Sequence, residues 1–208
     1  MRRFPLPSAA AALVGSALIL SACGSSVPLT YHSLTRAGDA GASSSGPARM
    51  LVEILPVAIP EQVDRPELVL SAPDGKVIVL SDDQWTASLA DGTRQAVADA
   101  LWRHSRAIDV YRAPASGAPE SMPQYRLSIR VERFIATPGQ HAELVASWTA
   151  RRLPRGESVT CRARAEAPLP GVTAEDAAHA LGTGLAELAD SIAAGVNRLN
   201  HGDSTPCG

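Results

Sequence analysis

Three cysteines carry the most distinctive chemistry in the chain, and they divide into one and two. Cys23 closes the stretch Leu20-Ser21-Ala22-Cys23, after a small-residue and apolar run from Ala9 to Leu20 broken only by Gly15 and Ser16. Its thiolate is the nucleophilic form of the side chain. Cys161 and Cys207 remain, an even number that permits one disulfide in an oxidising compartment. Such a bridge ties the C-terminal tail to a strand and closes a loop of about 45 residues, worth up to roughly 4 kcal/mol in the chain-entropy picture. The competing reading is one buried thiol and one thiol on a frayed tail.

No other constellation suggests catalysis. The histidines, His32, His104, His141, His179 and His201, show no metal-ligand spacing with one another or with a carboxylate, and there is no Cys-x-x-Cys. Serine is plentiful, yet the Gly-x-Ser-x-Gly nucleophile turn is absent. His104 and His179 fall on or near helical patterns, where solvated or capping roles suffice. Asp82-Asp83 precedes a helical pattern and is read as stabilising its positive end. Gly182-Thr183-Gly184 lies inside a helical pattern rather than after a strand, so close packing explains it better than phosphate binding. The expectation is a non-enzymatic protein with no cofactor and no metal.

The N-terminus gives the compartment. Met1-Arg2-Arg3 is a short positive start, and the apolar run of about 12 residues is too short for a membrane span, which needs ~20. Charged start and apolar core fit a secretory signal. With Leu20-Ser21-Ala22-Cys23 at its end, the segment resembles the bacterial lipobox, in which signal peptidase II cuts before a lipidated cysteine. That implies a signal peptide over 1–22 and a lipidated tether over 23–28. One acyl chain holds a protein marginally, at ~0.8 kcal/mol per buried CH₂, and two or more anchor it stably. Gly24 stands where the sorting rule reads aspartate as retention in the inner membrane, so the expected location is the outer membrane, facing the periplasm. An ordinary secretory signal with an incidental Cys23 is the competing reading.

Loss of residues 1–22 leaves 17 basic residues against 21 acidic ones, a formal charge of −4, which gives no support to a nucleic-acid partner. Eighteen arginines beside the single Lys76 are scattered rather than clustered. The body, 29–200, is long enough for one domain with its own core, and 201–208 reads as a tail.

The patterns that build that domain are mostly strands. Leu29–Leu34 reads as a first strand, and the apolar run from Met50 as a second that Pro56 and Pro60 keep from being a helix. "PELVLSAPDGKVIVLS" is a hairpin, with proline and glycine in the turn. A helix follows, most secure from Leu89 to His104, then a short strand at "AIDVYRA". Tyr125, Leu127, Ile129 and Val131 alternate with Arg126, Ser128, Arg130 and Glu132, the cleanest period of two in the chain. Two more strands, "AELVASWTARR" and "SVTCRARAEA", precede a long helix whose Leu181, Leu185, Leu188, Ile192, Val196 and Leu199 recur every three or four residues. Thr173 and Asp176 form an approximate capping box. The fold expected is α+β, a two-layer sandwich with a mostly antiparallel sheet covered on one face by two helices.

Trp85, Phe134 and Trp148 each sit on a burying pattern, so core packing is favoured over a lipid or partner contact. The irregular segment containing Pro60, Asp64, Arg65 and Pro66 differs. On a small domain it belongs at the surface, where a partner or self-association contact competes with a plain loop.

From Tyr31 onward the chain resembles the ABC-type transport auxiliary lipoproteins, the PqiC-like family (paraquat-inducible protein C). The features that carry this are, in order, the lipobox cysteine, Tyr31-His32-x-Leu34, "LVEILPVAIPEQVDRPELVL", Trp85 with Leu89, "YRLSIRVERF" to Phe134, Trp148, and the alanine-rich terminal helix. Cys161, Cys207 and the tail beyond about Leu199 are not expected of the family. The resemblance implies a non-catalytic docking subunit of an intermembrane lipid-transport system, held at the outer-membrane end, with a periplasmic MCE-domain (mammalian cell entry) protein as partner and a homo-oligomeric ring as one form of assembly. The alternative is a stand-alone structural envelope lipoprotein.

Overall fold

The structure, a computed structural model, describes residues 28–35 and 45–207. Leu20, Ser21, Ala22 and Cys23 lie outside the described residues. The elements run β1 (Thr30–His32), β2 (Met50–Ile54), β3 (Glu67–Ser71), β4 (Val77–Trp85), α1 (Leu89–Ser105), β5 (Ala107–Asp109), β6 (Gln124–Thr137), β7 (Gln140–Arg152), β8 (Ser158–Leu169) and α2 (Ala174–His201). The α+β class and the element order match the expectation. The strands sort into a five-stranded sheet, ordered β5-β2-β6-β7-β8, and a three-stranded one, β1-β4-β3. The long ladders β6–β7 and β7–β8 are antiparallel, while β2 runs parallel to both β5 and β6, and β1 parallel to β4. Parallel neighbours require long crossovers, and here the segment between β2 and β6 carries the β3–β4 hairpin, α1 and β5.

The β6 pattern shows how local chemistry sets the layer. Tyr125, Leu127, Ile129 and Val131 are buried, after which the register with β7 shifts between Val131 and Arg133. This bulge changes the phase of the alternation, so that Phe134 and Ala136, rather than Arg133 and Ile135, face the core. The strand thereby keeps its apolar face inward along all its length.

Against that face lies α2. Its start is a capping box: the Thr173 hydroxyl oxygen accepts from the Asp176 backbone N–H at 3.1 Å, and the Asp176 carboxylate accepts from the Thr173 N–H at 3.2 Å. Leu181, Leu185, Leu188, Ile192 and Val196 are buried, and the helix packs on β7 and β8. α1 packs on α2 and on β5, and both helices share one core with Leu68, Leu70 and Trp85 of the smaller sheet.

One local expectation is corrected. Asp82 and Asp83 do not cap α1. They continue β4, which runs on to Trp85 because β1 lies alongside it, with Thr30 opposite Asp83 and His32 opposite Trp85. The N-cap of α1 is Ser88, whose Oγ accepts from the Asp91 N–H at 3.1 Å.

Candidate functional site

The segment holding Pro60, Asp64, Arg65 and Pro66 is a rigid joint. The Pro60 carbonyl accepts from the N–H groups of Val63 and Asp64, at 3.0 and 3.1 Å. Just before it, the Ala58 N–H donates to the Ile129 carbonyl and the Ala58 carbonyl accepts from Val131, docking the segment on β6. At its far end the Pro66 carbonyl accepts from the Trp85 N–H at 2.8 Å, on the other sheet. Val57 and Val63 are buried and pin the backbone from inside. Asp64, Arg65 and Pro66 are exposed and Pro60 is half-buried; Arg65 pairs with Glu67 at 3.3 Å. The structure thus brings these four residues onto one outward ridge, fastened to both sheets.

Beneath the ridge, the Trp85 ring meets Phe134 edge to face, centroids 6.3 Å apart at 79°. Both are buried, as is Trp148. All three aromatics therefore serve the core. A pairing that sequence spacing hides lies nearby: His32 Nε2 sits 2.7 Å from Asp83 Oδ1 across the β1–β4 ladder.

The outer face of the five-stranded sheet is wet and charged. Arg126 pairs with Glu53, Arg162 with Glu132, and Arg133 and Arg164 both reach Glu143. Burial raises the Glu143 carboxyl, but the two guanidiniums outweigh it and hold the group below the ordinary glutamate value. The Glu132 carboxyl is likewise lowered, chiefly by its hydrogen bond from Arg162. These pairs occupy positions of β2, β6, β7 and β8 that turn away from the core, which is why a period of two yields a charge lattice.

A separate groove of about 460 Å³ runs between α1 and β5, lined by Arg94, Ala98, Trp102, Ile108, Asp109 and Arg112 among others. At its base Arg94 Nη1 donates to Asp109 Oδ2 at 2.5 Å, while Asp109 Oδ1 accepts from the Ile54 and Tyr111 N–H groups. Asp109 therefore orders the edge of the sheet, and among the described residues the groove is lined by no nucleophile with an adjacent base. His104 joins Arg103 on Asp190, linking the two helices at the surface.

At the C-terminus, Cys161 and Cys207 are joined by a disulfide with a Cα–Cα distance of 5.4 Å. Gly202 ends α2 at φ +80°, and the chain turns back so that the Arg198 guanidinium donates to the Pro206 carbonyl from Nε and Nη2, at 3.3 and 2.9 Å. Pro206 is buried. Residues 202–207 thus form a clasp over the α2–β8 junction.

Among the described residues no group of three or more His, Cys, Asp or Glu is placed to hold a metal ion, and no helix is long and apolar enough to cross a membrane. The body described so far offers surfaces and joints. The family model for the ABC-type transport auxiliary lipoprotein component matches residues 32–193, from β1 almost to the end of α2.

The chain belongs to that family.

Membership makes it an auxiliary component of the ABC-type transport class and a lipoprotein by family. The fold is shared with XCC0632 of Xanthomonas campestris, a DUF330 protein, at TM-score 0.65 and 16% identity, covering 85% of this chain and 99% of that one. It is also shared with an uncharacterized protein of known crystal structure, at TM-score 0.64 and 15% identity, covering 80% and 97%. A PelC dodecamer from Paraburkholderia phytofirmans aligns more loosely, at TM-score 0.38 and 15% identity over 71% of this chain and 93% of that one, a likeness that carries no conclusion about assembly. No curated protein matches the chain in sequence.

Proposed function

We propose that this auxiliary lipoprotein is the outer-membrane-anchored, periplasm-facing docking subunit of an MCE-type intermembrane lipid-transport system, and that its role is assembly rather than catalysis. The observation that carries the reading is the family match across residues 32–193, which runs from the last residue of β1 into α2. In this reading residues 1–22 are removed, Cys23 carries the acyl chains, residues 23–28 tether the body, and 29–200 form the domain that meets the partner. The ridge of Pro60, Asp64, Arg65 and Pro66 is the contact with the MCE-domain protein or with further copies in a ring. A rigid, exposed backbone supports that assignment, because a preorganised surface loses little freedom on docking.

The test is affinity purification from gently solubilised membranes. An MCE-domain protein is expected to copurify with the tagged chain, and to be lost when Asp64 and Arg65 are both replaced by alanine. Its repeated absence with the unaltered chain would leave a stand-alone envelope lipoprotein instead.

A further inference from the structure

The far end of the β3–β4 hairpin carries apolar residues that the core does not use. Val77, Ile78 and Val79 are consecutive on β4, so their side chains point to both faces of the ribbon, and they are 58%, 42% and 40% exposed. On the neighbouring strand Leu70, opposite Ile78, is buried. The hairpin turn is Ala72-Pro73-Asp74-Gly75, with Gly75 at φ +83°. At its tip Lys76 Nζ lies 2.6 Å from Asp74 Oδ2, a pair that leaves the tip without net charge.

The direction of β1 gives these residues a neighbour. β1 is parallel to β4 and pairs only with its last three residues, Asp83 to Trp85. Traced backwards from Thr30, the strand therefore heads along β4 toward Val77. Seven residues separate Thr30 from Cys23, a maximum reach of about 24 Å, and seven separate Asp83 from Lys76, about 23 Å of strand. Leu29 and Tyr31, on the same path, are themselves 48% and 58% exposed. The start of β1 thus points along β4 toward the apolar end of the hairpin, and the maximum reach from Thr30 to Cys23 matches the length of β4 from Asp83 back to Lys76.

We propose that the β3–β4 hairpin tip is a second membrane contact, in which Val77, Ile78 and Val79 enter the headgroup region of the bilayer that holds Cys23. This rests on the lipid-anchored reading above. The occupant is a lipid surface, because the bilayer cannot lie farther from Pro28 than the five residues to Cys23 allow, about 17 Å. A neutral tip with aliphatic flanks also suits the shallow, interfacial depth of about 5–10 Å at which amphipathic segments settle.

The acylated full-length mature protein is reconstituted in phosphatidylethanolamine and phosphatidylglycerol vesicles, with an environment-sensitive dye on Ile78→Cys or, as the remote control, on Glu187→Cys. Flotation with the vesicles reports the anchor independently. The expected result is a blue shift and loss of emission at position 78 when the acyl chains are brominated, no change at 187, and reversal at 78 in the Val77→Asp/Val79→Asp background. A floating protein whose label at 78 stays in water would overturn the hairpin contact and leave the anchor standing. A label shielded from iodide but untouched by bromine would overturn it in favour of a second copy or a protein partner. Failure to float would remove the anchored reading and this inference with it.

Discussion

A missing methyl group at position 195 sets how closely α2 can approach the sheet. A Cβ there would stand 2.6 and 2.8 Å from Cζ2 and Cη2 of Trp148 and 3.0 Å from the Pro206 carbonyl oxygen. Alanine gains up to ~1 kcal/mol of helix propensity over glycine, but overpacking a core costs typically about 1–3 kcal/mol. The neighbours here are a fixed ring and a clasped backbone, so the steric term wins. Gly195→Ala is expected to lower stability by about 1 kcal/mol net, or ~2–4 °C in Tm for a domain of this size, readable by thermal unfolding of the non-acylated domain. An unchanged or higher Tm would show that α2 can shift outward. A Cβ on Gly184 would stand 2.7 Å from Leu144 Cδ1, the far end of a leucine side chain that can give, so alanine is expected to cost less there. That glycines 182 and 184 serve packing was readable from their place inside a helical pattern; Gly195 gave no such signal, since only the fold puts Trp148 beneath it.

At the level of elements, what was legible is what depends on near neighbours. The alternation of β6, the stripe of α2, the capping box at Thr173 and the hairpin turn at Gly75 are all written within a few residues. The extension of β4 to Trp85 was hidden, because its cause is a parallel partner some 50 residues upstream, and the aspartates 82 and 83 look like helix punctuation without it. The split into two sheets has the same origin. The ridge residues were readable as surface, but their fastening to both β6 and β4 required the structure. For the C-terminal clasp, the Cys161–Cys207 bridge closes a separation of 46 residues. Cys207→Ser is expected to cost up to about 4 kcal/mol in the chain-entropy picture, measured by denaturant unfolding under oxidising conditions. Intact mass of the protein isolated with thiols blocked should be two hydrogens below that of the reduced form. A variant as stable as the parent would mean that Arg198 and buried Pro206 hold the tail by themselves.

The molecule as a whole divides its charge. Outward positions of the five-stranded sheet hold Arg126, Arg130, Arg133, Arg162 and Arg164 among fewer glutamates, although the chain after residue 22 is net acidic. Such opposition orients an approaching partner more than it tightens the final complex. The proposed anchor is tested at the same scale: Cys23→Ser is expected to shift the protein from the outer-membrane fraction to the soluble periplasm or leave it unprocessed, by membrane fractionation and immunoblot. Unchanged fractionation would contradict acylation. Finally, Leu34, just beyond β1, is buried between the helices, its Cδ1 only 2.9 Å from where a Cβ on Gly92 would stand and its carbonyl oxygen 2.9 Å from the same point on Gly182. Any tug on the N-terminal strand is therefore felt first as shear along the β1–β4 ladder and then at a keystone shared by α1 and α2. Were the chain held at Cys23, as proposed above, the load would pass through that keystone into the junction of the two helices.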